Sequence, residues 1–247
     1  MKFKQMIEEA SEANRSRIVL ALDLKGGGLL ERALKILRDV HEHVCCIKLN
    51  KHLVLPLGVR GIVELVFQAH DYHLPVIMDC KTSDIGSTNE VEVKAYFEAG
   101  FDAVTAMPLP GWTDGLEAVF KAARGEGKGV LLVTYMSHRG ASELFEITVY
   151  NPELKVFEEL YKVFSRKALS WGADGVVVGA TRPNIIRSVK ELVDEVPIFS
   201  PGAITQGGSV EEAIKAGASY VIVGRAICES SDPKAQAERV KALAKRS

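Results

Sequence analysis

Asp79, Lys81 and Asp84 place three ionisable side chains within six positions, directly after the apolar run Pro75-Val76-Ile77-Met78. The run reads as a buried strand, so the charges stand at its C-terminal end. Side chains two apart on a strand share a face, so Asp79 and Lys81 are expected to point the same way. Asp84 falls beyond the strand, on a loop that Gly86 lets turn sharply. A solvated charged loop would account for a lone Asp-x-Lys. Charges that alternate in sign at the mouth of an apolar strand fit a desolvated site better, because buried ions must pair or shift their protonation. Polar residues end other apolar runs in the same way: Asp23 after the run from Arg17 to Leu22, Lys48 near the end of Val44 to Leu49, and Ser137 just past Val130 to Tyr135. The last two runs end in a different chemistry. Pro201-Gly202-Ala203-Ile204-Thr205-Gln206-Gly207-Gly208 and Gly224-Arg225 offer exposed backbone N–H groups and a fixed cation, each ahead of a helix N-terminus. That combination suits a phosphate, so a phosphorylated small molecule is the expected ligand.

These residues need a scaffold that brings strand ends together. Apolar runs at 17–23, 44–49, 75–78, 103–107, 130–135, 175–179, 196–199 and 220–224 read as eight strands. Helical patterns separate them: 29–40, a stretch within 59–71, a helix opened by the capping box Ser87-Thr88-Asn89-Glu90 and ended by Gly100, 113–123, 152–171, one with Pro183 early in it, one opened by Ser209-Val210-Glu211-Glu212 and ended by Gly217, and a last one opened by Asp232-Pro233. The segment 137–152 is long and mixed, and is expected to be a functional loop with little regular structure. Residues 2–14 read as a polar helix covering one end. Strict alternation of strand and helix means parallel strands, and eight repeats suggest closure into a single (β/α)8 TIM barrel over 1–247. A doubly wound open sheet is the alternative. In such a barrel the catalytic groups sit at the C-terminal strand ends, and the loops after strands seven and eight form the common phosphate site.

Composition narrows the partners. The 247 residues are 47% hydrophobic and 26% charged with a net charge of -1, which is ordinary for a soluble globular chain and leaves no electrostatic footprint for nucleic acid or an acidic membrane. No apolar run approaches membrane-spanning length. Glu8, Glu9 and Glu12 argue against a transit peptide. Cys45, Cys46, Cys80 and Cys228 lack zinc-site spacing and read as reduced packing residues of a cytoplasmic protein.

The motif Asp79-x-Lys81-x-x-Asp84-Ile85, followed by Thr88, resembles the signature of the orotidine 5′-phosphate decarboxylase family, most closely its compact archaeal members. Leu22-Asp23, Ile47-Lys48, Met136-Ser137-His138, Gly179-x-Thr181-Arg182-Pro183, Pro201-Gly202 with Gln206-Gly207-Gly208, and Val223-Gly224-Arg225-Ala226-Ile227 extend the likeness over about residues 17–240. The resemblance implies decarboxylation of orotidine 5′-phosphate to uridine 5′-phosphate without metal or organic cofactor. It implies Lys81 as proton donor to C6, Asp79 beside the substrate carboxylate, and Lys48 and Asp84 completing an alternating chain of charge. Asp23 and Lys48 would hold ribose hydroxyls, and Ser137 the base. Gln206 and Arg225 would grip the phosphate as the loop 202–208 closes, with Pro201, Gly202 and Gly224 alongside. Asp84 and Thr88 would reach the site of a second subunit, making a homodimer. Arg182 would be structural or tied to a distant loop contact, and His138 would pack a loop. The chain departs from many relatives in Gly86 for proline, Met107 for histidine, and the bulkier Ile204-Thr205 in the phosphate loop. A magnesium-dependent sugar-phosphate enzyme of the same motif is a competing reading, but it needs an acid where Lys48 stands. A catalytically dead barrel that senses a nucleotide is the other.

Overall fold

Eight parallel strands hydrogen-bond side by side in the computed structural model, which describes residues 2–245, and the eighth closes on the first. In chain order they are Ile18–Ala21, Cys46–Asn50, Val76–Thr82, Ala103–Ala106, Gly129–Tyr135, Gly175–Val178, Ile198–Pro201 and Tyr220–Val223, referred to below as the first to the eighth strand. Ile18 pairs with Val221 at the closure. Most strands are buried along their whole length. That is why they read as continuous apolar runs: a parallel strand wrapped by helices has no wet face.

The helix that follows each strand lays an apolar stripe on the barrel. In Leu29–Val40 the buried positions are Ala33, Ile36, Leu37 and Val40, spaced as one face of a 3.6-residue turn. Val63–Asp71, Gly86–Glu98, Glu117–Gly125, Leu160–Trp171, Pro183–Val193, Val210–Lys215 and Pro233–Leu243 complete the ring. Asp232 accepts the Ala235 N–H and Ser209 the Glu212 N–H, as their sequences lead one to expect.

The structure corrects four expectations. Ser87 caps nothing: its helix already begins at Gly86, and Asn89 instead holds the turn, accepting the Asp84 N–H at 2.9 Å and donating to the Asp84 carbonyl at 2.6 Å. Regular helix starts at Glu117 rather than 113, because Asp114 takes a left-handed φ of +54°. The segment 137–152 is largely regular. It has a short helix at Ser142–Phe145, and Thr148–Asn151 pairs antiparallel with Val156–Glu159, so the next helix begins at Leu160 rather than Pro152. Asn151 fixes that hairpin turn, accepting the N–H groups of Glu153 and Leu154 and donating to Glu158. Two further helices were not foreseen: Lys51–Gly61, kinked where Gly58 takes φ +71°, and the single turn Arg225–Cys228.

The N-terminal helix Phe3–Ala13 buries Phe3, Ile7 and Ala10. The Phe3 ring stacks 6.4 Å from Phe199, and a Cβ on Gly129 would lie 2.5 Å from that ring, so the glycine makes room for it. Gly129 opens the fifth strand, so this helix plugs the end of the barrel opposite the charged strand ends. Phe3→Ala is expected to lower unfolding free energy by about 3–5 kcal/mol. Chemical denaturation checks it. No single helix among the described residues is long and apolar enough to cross a membrane. All four cysteines are free thiols, three of them buried, and burial pushes the Cys80 thiol up to about 11 and that of Cys228 up to about 12.

Candidate active site

The third strand does not run straight to its end. Met78 pairs with Val104 and Thr82 with Ala106, so one strand advances four residues while its neighbour advances two. Asp79, Cys80 and Lys81 therefore all pass opposite Thr105, as a bulge. Lys81 takes a left-handed φ of +54°, which costs a lysine about 1–3 kcal/mol. Its N–H donates to the Thr105 hydroxyl at 3.0 Å, and that hydroxyl donates to Asp79 Oδ1 at 2.9 Å. Asp79 and Lys81 do meet, with Lys81 Nζ 2.7 Å from Asp79 Oδ1. The bulge brings them together, in place of the simple strand alternation the sequence suggests.

Lys48 reaches the other carboxylate oxygen of Asp79 at 2.8 Å and Asp23 at 3.7 Å. Asn50, two residues along the same strand, donates to Asp23 at 2.6 Å and accepts the His52 N–H, so it caps the following helix and clamps Asp23 at once. The result is an alternating array, Lys81–Asp79–Lys48–Asp23. The Lys48 side chain is 6% exposed and that of Asp79 13%, while Lys81 is 35% exposed and open to the cavity. Burial alone would discharge Lys48, but the Asp79 and Asp23 carboxylates outweigh it and raise its pKa. Burial likewise works against ionised Asp79, and Lys48 and Lys81 together hold it well below the usual carboxylate range.

These shifts set a pH window. Asp79 has a lowered folded pKa, so its ionisation adds stability that is complete above the ordinary value near 4 and is lost as pH falls through the folded value. Lys48 is the reverse case, its contribution present below about 10.4 and lost as pH rises through the raised value. In denaturant titrations, Asp79→Asn is expected to be less stable than wild type at neutral pH, with a gap that narrows below about pH 4. A gap of constant size from about pH 7 down to pH 3 would contradict this charge assignment.

Across the barrel mouth lie the glycine loops. Gly202 takes φ +91°, and a Cβ there would meet Gln206 Oε1 at 2.8 Å and the Ser137 side chain at 2.9 Å, so the three residues are in contact. The loop is tied by Ile204 N–H to the Gly208 carbonyl (2.7 Å) and Gly208 N–H to the Gly202 carbonyl (3.2 Å). Ile204, a β-branched residue, sits at φ +69° inside it. Gly224 packs on the Ala21 carbonyl, 3.0 Å from where a Cβ would sit. Arg225 opens the short helix after the eighth strand, is exposed, and makes no ion pair with another described residue.

One cavity of about 230 Å³ joins the two halves. Asp23, Lys48, Asp79 and Lys81 line it. Ser137, Pro201, Gly202, Gln206, Gly224 and Arg225 line it as well, with Gly224 next to Asp23. Asp84 and Thr88 do not line it. Both are exposed, and among the described residues the Asp84 carboxylate accepts only its neighbour Ile85 N–H. Arg182 bonds Glu146 at 2.5 Å and lies over the Tyr135 ring, bracing the segment after the fifth strand, and His138 is exposed. Sequence reasoning missed Asn50 and Thr105. Asn50 had a signal, since it follows Lys48 at the spacing that shares a strand face. Thr105 had a weaker one, a lone hydroxyl in a short strand of alanine and valine.

Fold and site thus define a (β/α)8 barrel with a buried ionic array facing glycine loops. The chain belongs to the orotidine 5′-phosphate decarboxylase / HUMPS family, whose profile matches residues 16–240. It is 36% identical to the orotidine 5′-phosphate decarboxylase of Methanosarcina barkeri, over 92% of this chain and 94% of that protein. It is 37% identical to the enzyme of that name from Pyrococcus abyssi, over 90% and 96%. Its structure is similar to a crystal structure of orotidine 5′-monophosphate decarboxylase from Methanocaldococcus jannaschii complexed with the inhibitor BMP. The TM-score is 0.79 at 31% identity, covering 94% of this chain and 99% of that one.

Proposed function

We propose that this chain, one barrel domain over 1–247, decarboxylates orotidine 5′-phosphate to uridine 5′-phosphate in the cytoplasm, with Lys81 as proton donor and no metal or organic cofactor. The observation that carries the reading is the Lys81–Asp79–Lys48–Asp23 array in the same cavity as Gln206, Arg225 and the glycine loop. In the reaction the C6–carboxyl bond breaks, carbon dioxide leaves, and the electron pair stays on C6. A Lys81 Nζ proton then forms the new C6–H bond, and solvent restores the ammonium. Asp79 holds the Lys81 ammonium from the side, and Asp23 and Lys48 face the ribose. In this reading Asp79 stands beside the substrate carboxylate. A positioned acid supplies roughly 10²–10⁴-fold. The remainder comes from preorganised charge and from phosphate binding used to close the site.

Asp84 and Thr88 serve the cavity of a second copy in this reading. Their exposure supports it, as does the helix face that carries them. Ile85, Thr88 and Val91 recur every third residue, with Ile85 63% and Val91 72% exposed, an apolar surface suited to a two-fold contact. The magnesium-dependent alternative is disfavoured by Lys48 itself, a buried cation paired with Asp79 at the position where that reading needs an acid. The test is an absorbance assay with orotidine 5′-phosphate under exhaustive chelation. Turnover is expected to persist; activity that vanishes and returns with magnesium, or binding without turnover, overturns the reading. Arg225→Ala is expected to lower kcat/KM for the phosphorylated substrate by roughly 10- to 150-fold, the range of a charge-assisted hydrogen bond, and to leave the phosphate-free nucleoside nearly unaffected. Equal losses on both would show that Arg225 supports the fold or the base.

A further inference from the structure

We propose that Thr105 is a positioning residue for this reaction: its hydroxyl sets both the backbone turn that carries Lys81 and the carboxylate oxygen to which Lys81 bonds. The inference rests on the reading of Lys81 as proton donor. Thr105 is 2% exposed, and a buried hydroxyl has to find partners. It finds them along the whole bulge. Its proton goes to Asp79 Oδ1 at 2.9 Å, its lone pair receives the Lys81 N–H at 3.0 Å, and its carbonyl receives the Cys80 thiol at 3.2 Å. One residue therefore touches each of the three that pass opposite it.

The geometry is directional. A hydroxyl that donates to the carboxylate must turn a lone pair elsewhere, and here that lone pair meets the N–H of Lys81, the one residue of the bulge held left-handed. Thr105 is itself fixed, since its strand pairs on the far side with Leu131 of the fifth strand. Removing the hydroxyl takes away the Lys81 N–H partner and one of the two donors on Asp79 Oδ1, the other being Lys81 Nζ. The left-handed turn at Lys81 then loses the only side-chain hydrogen bond to its backbone among the described residues, so that backbone is expected to relax toward an ordinary φ and carry the amine with it. Lys48 still holds the other oxygen of Asp79, so the charge stays compensated and the barrel intact.

Thr105→Val keeps the shape and removes the bonds; Thr105→Ser keeps the bonds and removes a methyl. In Val, kcat is expected to fall about 10- to 100-fold, as displacement of a reacting group by ~1 Å does, with KM within about threefold. In Ser, kcat is expected to stay within about threefold of wild type. Crystal structures of both variants give a second readout: Val is expected to lose the positive φ of Lys81 and its contact with Asp79, and Ser to keep them. Val retaining kcat within about twofold, or Ser falling as far as Val, overturns the proposal. If the wild-type chain does not decarboxylate orotidine 5′-phosphate, the reaction reading fails and the crystal structures alone decide. Lys81 unmoved in Val then overturns the role of Thr105, and Lys81 displaced in Val but kept in Ser upholds it.

Discussion

Lys81→Ala is expected to lower kcat for orotidine 5′-phosphate by at least about 10²–10⁴-fold, the contribution of a positioned acid, while the Kd for uridine 5′-phosphate changes by less than about tenfold. Of the two cations in the array, Lys81 is the one open to the cavity. Lys48 cannot take over, because its side chain is 6% exposed and its ammonium is held by Asp79 and Asp23. Loss of Lys81 still leaves Asp79 paired with Lys48 at 2.8 Å. The variant therefore keeps a compensated core, and its defect reports chemistry rather than unfolding. Single-turnover kinetics with product-binding measurements separate the two. A kcat within about tenfold of wild type would remove Lys81 from the proton-transfer step.

The second large effect comes from mixing two inactive variants, Lys81→Ala and Asp84→Asn, under conditions that exchange subunits. Asp84 is outside the cavity of its own chain, its backbone locked in place by Asn89. A carboxylate held so firmly at an exposed edge is well placed to be delivered to another copy. If Asp84 acts across a two-fold interface, a mixed dimer has one site with both defects and one with neither. Random pairing makes about half the dimers mixed, so about a quarter of all sites regain full composition. Recovery near a quarter of wild-type activity is expected. With exchange confirmed independently, no recovery would mean that Asp84 serves its own subunit.

The barrel was legible because its physics is local. A parallel strand buried on both faces must be a short apolar run, and helices covering it must show a 3.6-residue stripe, so Ile18–Ala21 and Leu29–Val40 could be read from composition and period. Ten of the twelve candidate site residues fell into one cavity for the same reason, since strand ends of a closed barrel converge. What escaped depends on partners distant in sequence. The bulge at Asp79–Lys81 exists through its register with Thr105, which no local pattern around position 80 encodes. The turn at Asp84 is held by Asn89, although Ser87 carries the better local capping signal. Pro56 and Gly58 disguise the helix Lys51–Gly61, whose start is fixed by Asn50. In the hairpin after the fifth strand, Asn151 organises a turn that reads from sequence as an approach to the helix.

The cavity is proposed to exchange a carboxylate for a proton at C6 of a pyrimidine nucleotide. To test this, the wild-type chain is incubated with carboxyl-labelled orotidine 5′-phosphate in D₂O and both products are analysed. One labelled carbon dioxide is expected for each uridine 5′-phosphate formed, with a single deuterium at C6, and Lys81→Ala is expected to form both at least about 10²–10⁴-fold more slowly. Recovery of unchanged substrate, or uridine 5′-phosphate formed equally well without Lys81, would contradict the account.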